Sequence, residues 1–191
     1  MSLPNPLPPA TARRSQVQTW CERHAGDAVR LRLVRWEDAE FIYRLRRDSR
    51  LNEHLSHPPE TISQQQCWLQ AYFGREALGE EFYFMIEAGQ QACGTVRLYR
   101  MTPEGHFTWG SWIIKKAAPL RAGIQSALLI YELAFEELGF SESRFEVRKG
   151  NVKVIAFHRR CGAESVDETE HELLFRFSRP AFALMKARIC A

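Results

Sequence analysis

The order of residue periodicities predicts an α/β chain of the α+β kind: a mixed, mostly antiparallel sheet flanked by helices. Three observations carry this. Val29–Arg35 alternates apolar and polar residues strictly, as a half-buried strand does. Strand-like runs then follow one another between residues 81 and 115 with only turn residues between them, which favours antiparallel pairing. Residues 121–138 carry apolar side chains at spacings of three and four between two strand-like runs, so this helix should be a right-handed crossover joining parallel neighbours.

Taken in order, residues 1–28 read as an N-terminal extension and 29–191 as the domain proper. Pro4, Pro6, Pro8 and Pro9 deny the start a regular helix, and Thr11–His24 is a candidate for a short polar one. After the first strand, Trp36-Glu37-Asp38 opens a helix whose acidic first turn suits the helix dipole, with Ala39, Phe41, Ile42 and Leu45 inward. His57-Pro58-Pro59 ends that region. Thr61–Leu78 is a second helix with Ile62, Leu69, Tyr72 and Phe73 on one side. Glu81–Ala88 and Ala92–Tyr99 form a hairpin about Gly89-Gln90-Gln91, and His106–Lys115 is the next strand. In the central helix, Ile124, Ala127, Leu128, Tyr131, Ala134, Phe135 and Leu138 make the apolar stripe, and Gly139 is the stop. Arg144–Arg148 is a strand, Gly150-Asn151 leads into a short helix closing at Cys161-Gly162, and Glu172–Ser178 alternates as a final strand before a helical tail from Pro180. That final strand leaves a sheet edge that a second subunit could cover, as in a homodimer.

The totals exclude several classes. A chain of 191 residues suits one full domain rather than two. A net charge of +3 is too small for a typical nucleic-acid binder. No apolar run reaches the roughly 18–20 residues of a membrane span, and the early prolines interrupt any signal-peptide core. Cys21, Cys67, Cys93, Cys161 and Cys190 are scattered with no C-x-x-C pair, which suits a reducing cytoplasm rather than a disulfide or metal framework. His54 and His57 stand three apart with no supporting ligand, so no metal is expected. There is no G-x-S-x-G elbow, Walker loop, G-x-G-x-x-G or H-E-x-x-H motif.

Three segments in order resemble the GNAT superfamily of N-acetyltransferases across residues 29–178. WGSWIIKKAAPLRAGIQSALLIYELAFEELGF, residues 109–140, is similar to the family's strand, pyrophosphate loop and helix. VRKGNVKVIAFHRRCGA, residues 147–163, looks like its Asn-x-x-(small/apolar)-x-x-Phe-Tyr segment. LRLVRWEDAEFIYRLRRD, residues 31–48, looks like the opening of the branch holding ribosomal-protein N-terminal and nucleotide-amino-sugar acetyltransferases. Leu120 and Gln125 stand where the loop pattern has Gln/Arg and Gly/Ala, and His158 where it often has tyrosine. The resemblance implies the GNAT fold, with a splayed parallel strand pair, and acetyl-CoA as cosubstrate.

A helix N-terminus offers unpaired amides and partial positive charge to a diphosphate. Leu120, Arg121, Ala122, Gly123, Ile124, Gln125 and Ser126 form the candidate turn, with Gly123 permitting close approach and Lys115, Lys116 and Arg121 adding charge. The resemblance lays the pantetheine arm along Trp109–Lys115, bonded by main-chain groups near Trp112, Ile113, Ile114 and Lys115, one of which could polarise the thioester carbonyl. Asn151, Ile155 and His158 fall on one helical face, with Asn151 and His158 roughly 10 Å apart. This suits Asn151 to the arm, Phe157 to packing against the cofactor or core, and His158 to donating toward the departing sulfur. The attacking amine must be neutral. Glu87, Glu146 and His106 are candidate bases, with Glu146 first and a surface ion pair as its alternative. The loop 48–58 would shape the acceptor site, and Arg44, Arg46, Arg47 and Arg50 could meet an anionic acceptor such as a nucleotide-sugar diphosphate.

The implied activity is transfer of acetyl from acetyl-CoA to a primary amine, by direct attack in a ternary complex. The acceptor could be a nucleotide-linked amino sugar or other small amine. Acetylation of a protein N-terminus or lysine, and a non-catalytic CoA-binding sensor or scaffold, are the alternatives. Neither nucleic acid nor membrane is expected as a partner.

Overall fold

The computed structural model describes residues 7–51, 53, 54 and 57–190. Pro4, Pro6, part of the 48–58 loop and the Cys190 side chain lie outside the described residues. α1 (Ala10–Arg23) is polar, yet Val17 and Trp20 enter the same core as the sheet. β1 (Val29–Leu33) leads through a 3₁₀ turn at Trp36–Asp38 into α2 (Ala39–Arg47). The Asp38 carboxylate accepts the Arg35 amide at 2.7 Å, reaching back to the start of that turn. α3 (Ile62–Ala77) is capped by the Thr61 hydroxyl, which accepts the Gln64 amide at 3.2 Å.

β2 (Phe82–Ala88), β3 (Gln91–Tyr99) and β4 (His106–Ile114) follow as antiparallel neighbours. α4 (Ala122–Glu132) continues as a π turn, Leu133–Glu137, which brings the consecutive residues Leu133, Ala134 and Phe135 all inside. β5 (Glu142–Arg148), α5 (Val152–Cys161), β6 (Glu164–Glu168), β7 (Glu172–Ser178) and α6 (Arg179–Cys190) complete the chain.

Among the described residues seven strands lie in the order β1-β2-β3-β4-β5-β7-β6, and only β4 and β5 of these are parallel. The sheet is buried on both faces at β2. Phe82, Phe84 and Ile86 of β2 join the larger core under α1, α4 and α6, while Tyr83 and Met85 pack with Leu69 and Tyr72 under α2 and α3. This alternation follows the two-residue period of a strand. One strand has no counterpart in the sequence reading, and it corrects one expectation. The segment Glu164–Glu168 is a strand that shows no periodicity, because all five residues are exposed. It pairs with β7 and takes the edge, so Glu172–Ser178 is interior and offers no edge to a second subunit.

Candidate active site

β4 and β5 pair only at His106–Glu142 and Phe107–Ser143. One step further, the Thr108 hydroxyl donates to the Arg144 carbonyl at 2.7 Å, and beyond it the strands part. β4 carries a register shift against β3 in the same stretch, and Ser111 sits at φ 49°. The bulge sets which main-chain groups face the gap. The Lys115 amide donates to the Cys93 carbonyl at 2.8 Å, and Ile113 pairs with Thr95. By the alternation of an antiparallel ladder, Ile113 and Lys115 turn their main chains toward β3, while Trp112 and Ile114 turn theirs into the splay.

Two cavities meet at the Trp112 side chain. One, of about 440 Å³, fills the splay and is lined by Tyr99, Trp109, Gly110, Glu146, Asn151 and His158 among others. The second, of about 480 Å³, lies against the start of α4 and is lined by Gly123, Ile124, Phe157, Arg160, Met185 and Arg188. Trp112 is held by its indole N–H, which donates to the Ser126 hydroxyl at 3.1 Å, and by the Phe157 ring at 5.1 Å between centroids. Ser126 in turn donates to the Gly123 carbonyl at 2.9 Å, which stitches the first turn of α4 to the bulged strand.

No side chain caps α4. The Ala122 amide donates to the Pro119 carbonyl and the Gln125 amide to the Arg121 carbonyl, which leaves the Gly123 and Ile124 amides for a ligand. A Cβ on Gly123 would meet only Ile114 and Trp112 carbons at 3.7 and 3.8 Å, so packing does not require glycine there. Leu120 is fully exposed, and could serve a ligand only through its main chain.

His158 points from α5 into a nest of aromatic rings: Phe145 at 4.3 Å, Phe157 at 5.3 Å, Trp109 at 5.6 Å and Phe175 at 6.1 Å. It is 5% exposed and its Nδ1 has no hydrogen-bond partner. Burial without a compensating charge pushes the imidazole down to about 4, so it is neutral at physiological pH. Asn151 is the N-cap of α5 rather than a residue of its face, with its side-chain oxygen accepting the Val154 amide at 3.4 Å. Its side chain is therefore partly committed to the helix.

Of the candidate bases, only Glu146 reaches the splay cavity, and it carries an ion pair with Arg100 at 3.2 Å, not with Arg144 or Arg148. Glu87 is buried between Arg30 and Arg32 at the β1 side of the sheet, and His106 stands at the closed end of the β4–β5 pair beside Glu142. Among the four arginines of α2 and its loop, Arg44 pairs with Glu40, Arg50 pairs with Asp48, and Arg47 donates to the Pro59 and Glu60 carbonyls. Arg46, which donates to the His57 carbonyl at 3.5 Å, lines a cavity of about 350 Å³ formed with His57, Gln65, Trp68, Tyr83 and Arg97. Arg97 lines this cavity and the splay cavity alike.

The sequence reading misses Tyr99 and Arg97. Tyr99 lies half-buried on β3, flanked by the Arg97 and Arg100 guanidiniums at 5.0 and 5.8 Å from its ring, and its burial raises the phenol. Its oxygen lies 2.9 Å from where a Gly110 Cβ would be, directly over the bulge. The alternation Thr95, Arg97, Tyr99 in β3 is the local signal that could have placed them on one face. Among the described residues no helix is long and apolar enough to cross a membrane, and no group of three or more His, Cys, Asp or Glu could hold a metal ion.

A family model for the GNAT acetyltransferase domain matches residues 28–164. Among solved structures, apo FdhC, described as a nucleotide-linked sugar GNAT, is 40% identical with a TM-score of 0.79, covering 86% of this chain and 94% of its own. A GCN5-related N-acetyltransferase from Brucella melitensis is 16% identical with a TM-score of 0.70, covering 85% and 80%. A point mutant of the spermidine N-acetyltransferase SpeG from Vibrio cholerae is 15% identical with a TM-score of 0.68, covering 83% and 98%. No curated protein matches the sequence significantly. The family match over most of the chain, with the FdhC likeness and a sheet that splays at its one parallel pair, shows that the chain belongs to the GNAT acetyltransferases.

Proposed function

We propose that this chain moves acetyl from acetyl-CoA to the primary amine of a nucleotide-linked sugar, by direct attack in a ternary complex. The observation that carries the reading is the pair of cavities on either side of Trp112, one at the start of α4 and one within the β4–β5 splay. The cosubstrate's diphosphate suits the uncapped first turn of α4, about Leu120–Ser126, where unpaired amides and the helix dipole favour an anion. Its thin arm suits the main-chain edge at Trp112 and Ile114, with Asn151 and Phe157 beside it. The 40% identical FdhC is described as acting in the nucleotide-linked sugar class, which supports that acceptor over a peptide.

The chemistry asks for a carbon–nitrogen bond to form and the carbon–sulfur bond to break, with one proton leaving the amine. A main-chain amide at the bulge would polarise the thioester carbonyl. Glu146, at the mouth of the splay and paired with Arg100, would take the amine proton directly or through water. The neutral imidazole of His158 would offer a ring N–H to the departing sulfur. It does not need to be a strong acid, since a thiol has a pKa of about 8.5 and can leave as thiolate.

Calorimetric binding of acetyl-CoA, followed by thiol release against amino-sugar nucleotides, free amino sugars, polyamines and peptides, tests this. Release with peptides alone shifts the assignment to protein acetylation. Binding with no release on any amine leaves a CoA-binding scaffold.

A further inference from the structure

The cavity of about 350 Å³ under α3 takes no part in the chemistry above. Its volume is in the range of small-molecule pockets, roughly 300 Å³ and upward. Two polar side chains in its lining are sealed from water. Gln65 is 3% exposed, and Tyr83 is 1% exposed with a hydroxyl that makes no well-formed hydrogen bond, Thr95 and Arg46 being the polar side chains beside it. A buried hydroxyl left poorly bonded carries a free-energy cost that an incoming carbonyl or ring nitrogen would remove.

The charge around it is positive. Arg97 and Arg75 share the single carboxylate of Glu81, at 2.6 and 2.9 Å, and both guanidiniums lie over the Trp68 ring at 4.9 and 5.5 Å. Arg46 lines the same space. Two guanidiniums facing one carboxylate keep capacity for a further anion, and their planar forks match phosphate oxygens. Arg97 also lines the splay, so a ligand could lie across both spaces.

We propose that this cavity seats the nucleoside diphosphate of the acceptor, with Gln65 and Tyr83 reading the edge of the base and Arg97 holding the diphosphate. The sugar then extends past Arg97 toward the splay. This rests on the reading that the splay is where acyl transfer occurs.

The test is calorimetric titration of the full chain with uridine, thymidine, cytidine and guanosine diphosphates and with inorganic pyrophosphate. Coenzyme A is kept saturating, so that its own diphosphate seat is filled. At least one nucleoside diphosphate should bind, and at least roughly tenfold tighter than pyrophosphate. Gln65→Leu and Tyr83→Phe should each weaken it by roughly fivefold to tenfold. Tyr83→Phe should do so while holding or raising the melting temperature, since it deletes a hydroxyl that is poorly bonded without ligand. The seat is overturned if no nucleotide binds, if pyrophosphate binds as well as the best nucleotide, or if both variants bind like wild type. Thiol release separates this from the parent reading. An enzyme active on plain amines that binds no nucleotide loses only the seat. A chain that binds a nucleotide and never releases thiol keeps the seat and loses the transferase.

Discussion

The His158 imidazole should make this fold acid-sensitive in a window set by its burial. In the unfolded chain it takes a proton near 6.5, and in the folded chain only near 4. Between those values the unfolded state binds more protons, so stability falls as pH drops through 6.5 and the loss levels off below 4. Linkage gives a loss of about 1.4 kcal/mol by pH 5.5 and about 2.5 kcal/mol by pH 4.5, relative to pH 7.5. Carboxylates titrate in the same range, so the assay is a difference: urea unfolding of wild type and His158→Phe at the three pH values. The phenyl ring suits the surrounding nest of Phe145, Phe157, Trp109 and Phe175 and takes no proton. The wild-type curve should fall relative to the variant by these amounts. Parallel curves, within about 0.5 kcal/mol, would refute the claim that the folded protein keeps this ring neutral.

Three further outcomes follow from packing. Gly94→Ala places a Cβ 2.4 Å from the Ile113 carbonyl oxygen, a backbone atom that cannot rotate away, and should cost about 3 kcal/mol in chemical denaturation. Gly110→Ala sets a Cβ 2.9 Å from the Tyr99 hydroxyl and should cost about 1–2 kcal/mol while lowering acceptor kcat/KM; adding Tyr99→Phe should restore part of the stability, and strict additivity would show that the two do not touch. Trp20→Ala should cost about 3–5 kcal/mol despite lying in the N-terminal segment, because the indole is buried in the main core; a melting temperature like wild type would show that α1 is a dispensable appendage.

Much of the scaffold was legible because its signals are local. The apolar stripe of residues 124–138, the hairpin about Gly89 and the crossover between parallel neighbours each announce themselves within a few residues, and β2, β3, α4 and the β4–β5 pair follow them. β6 was illegible for a physical reason: a fully exposed strand has no buried face to impose alternation. α1 hid its anchoring because two apolar residues, Val17 and Trp20, suffice to dock it and leave the rest polar. The site was read in halves. Residues of α4 and α5 carry their family pattern in sequence, whereas Gln65, Tyr83 and Arg97 lie on three separate elements and converge only through the pairing of β2 with β3 under α3. Glu146 shows the same limit, since its partner Arg100 lies one residue past the end of β3 rather than on its own strand.

The ladder between β4 and β5 ends after its second pair, with the Thr108 hydroxyl as the last tie. Every residue that shapes the slot beyond it is thus free of any duty to the sheet's hydrogen bonding across that gap. Exchanging Trp112 or Phe157 for a smaller ring or an aliphatic side chain alters the reach of the chamber without breaking a rung between the two strands. Such exchanges retune acyl length or acceptor shape at the expense of side-chain ties alone: a smaller ring at Trp112 gives up the indole bond to Ser126, and a smaller side chain at Phe157 gives up its packing on Trp112.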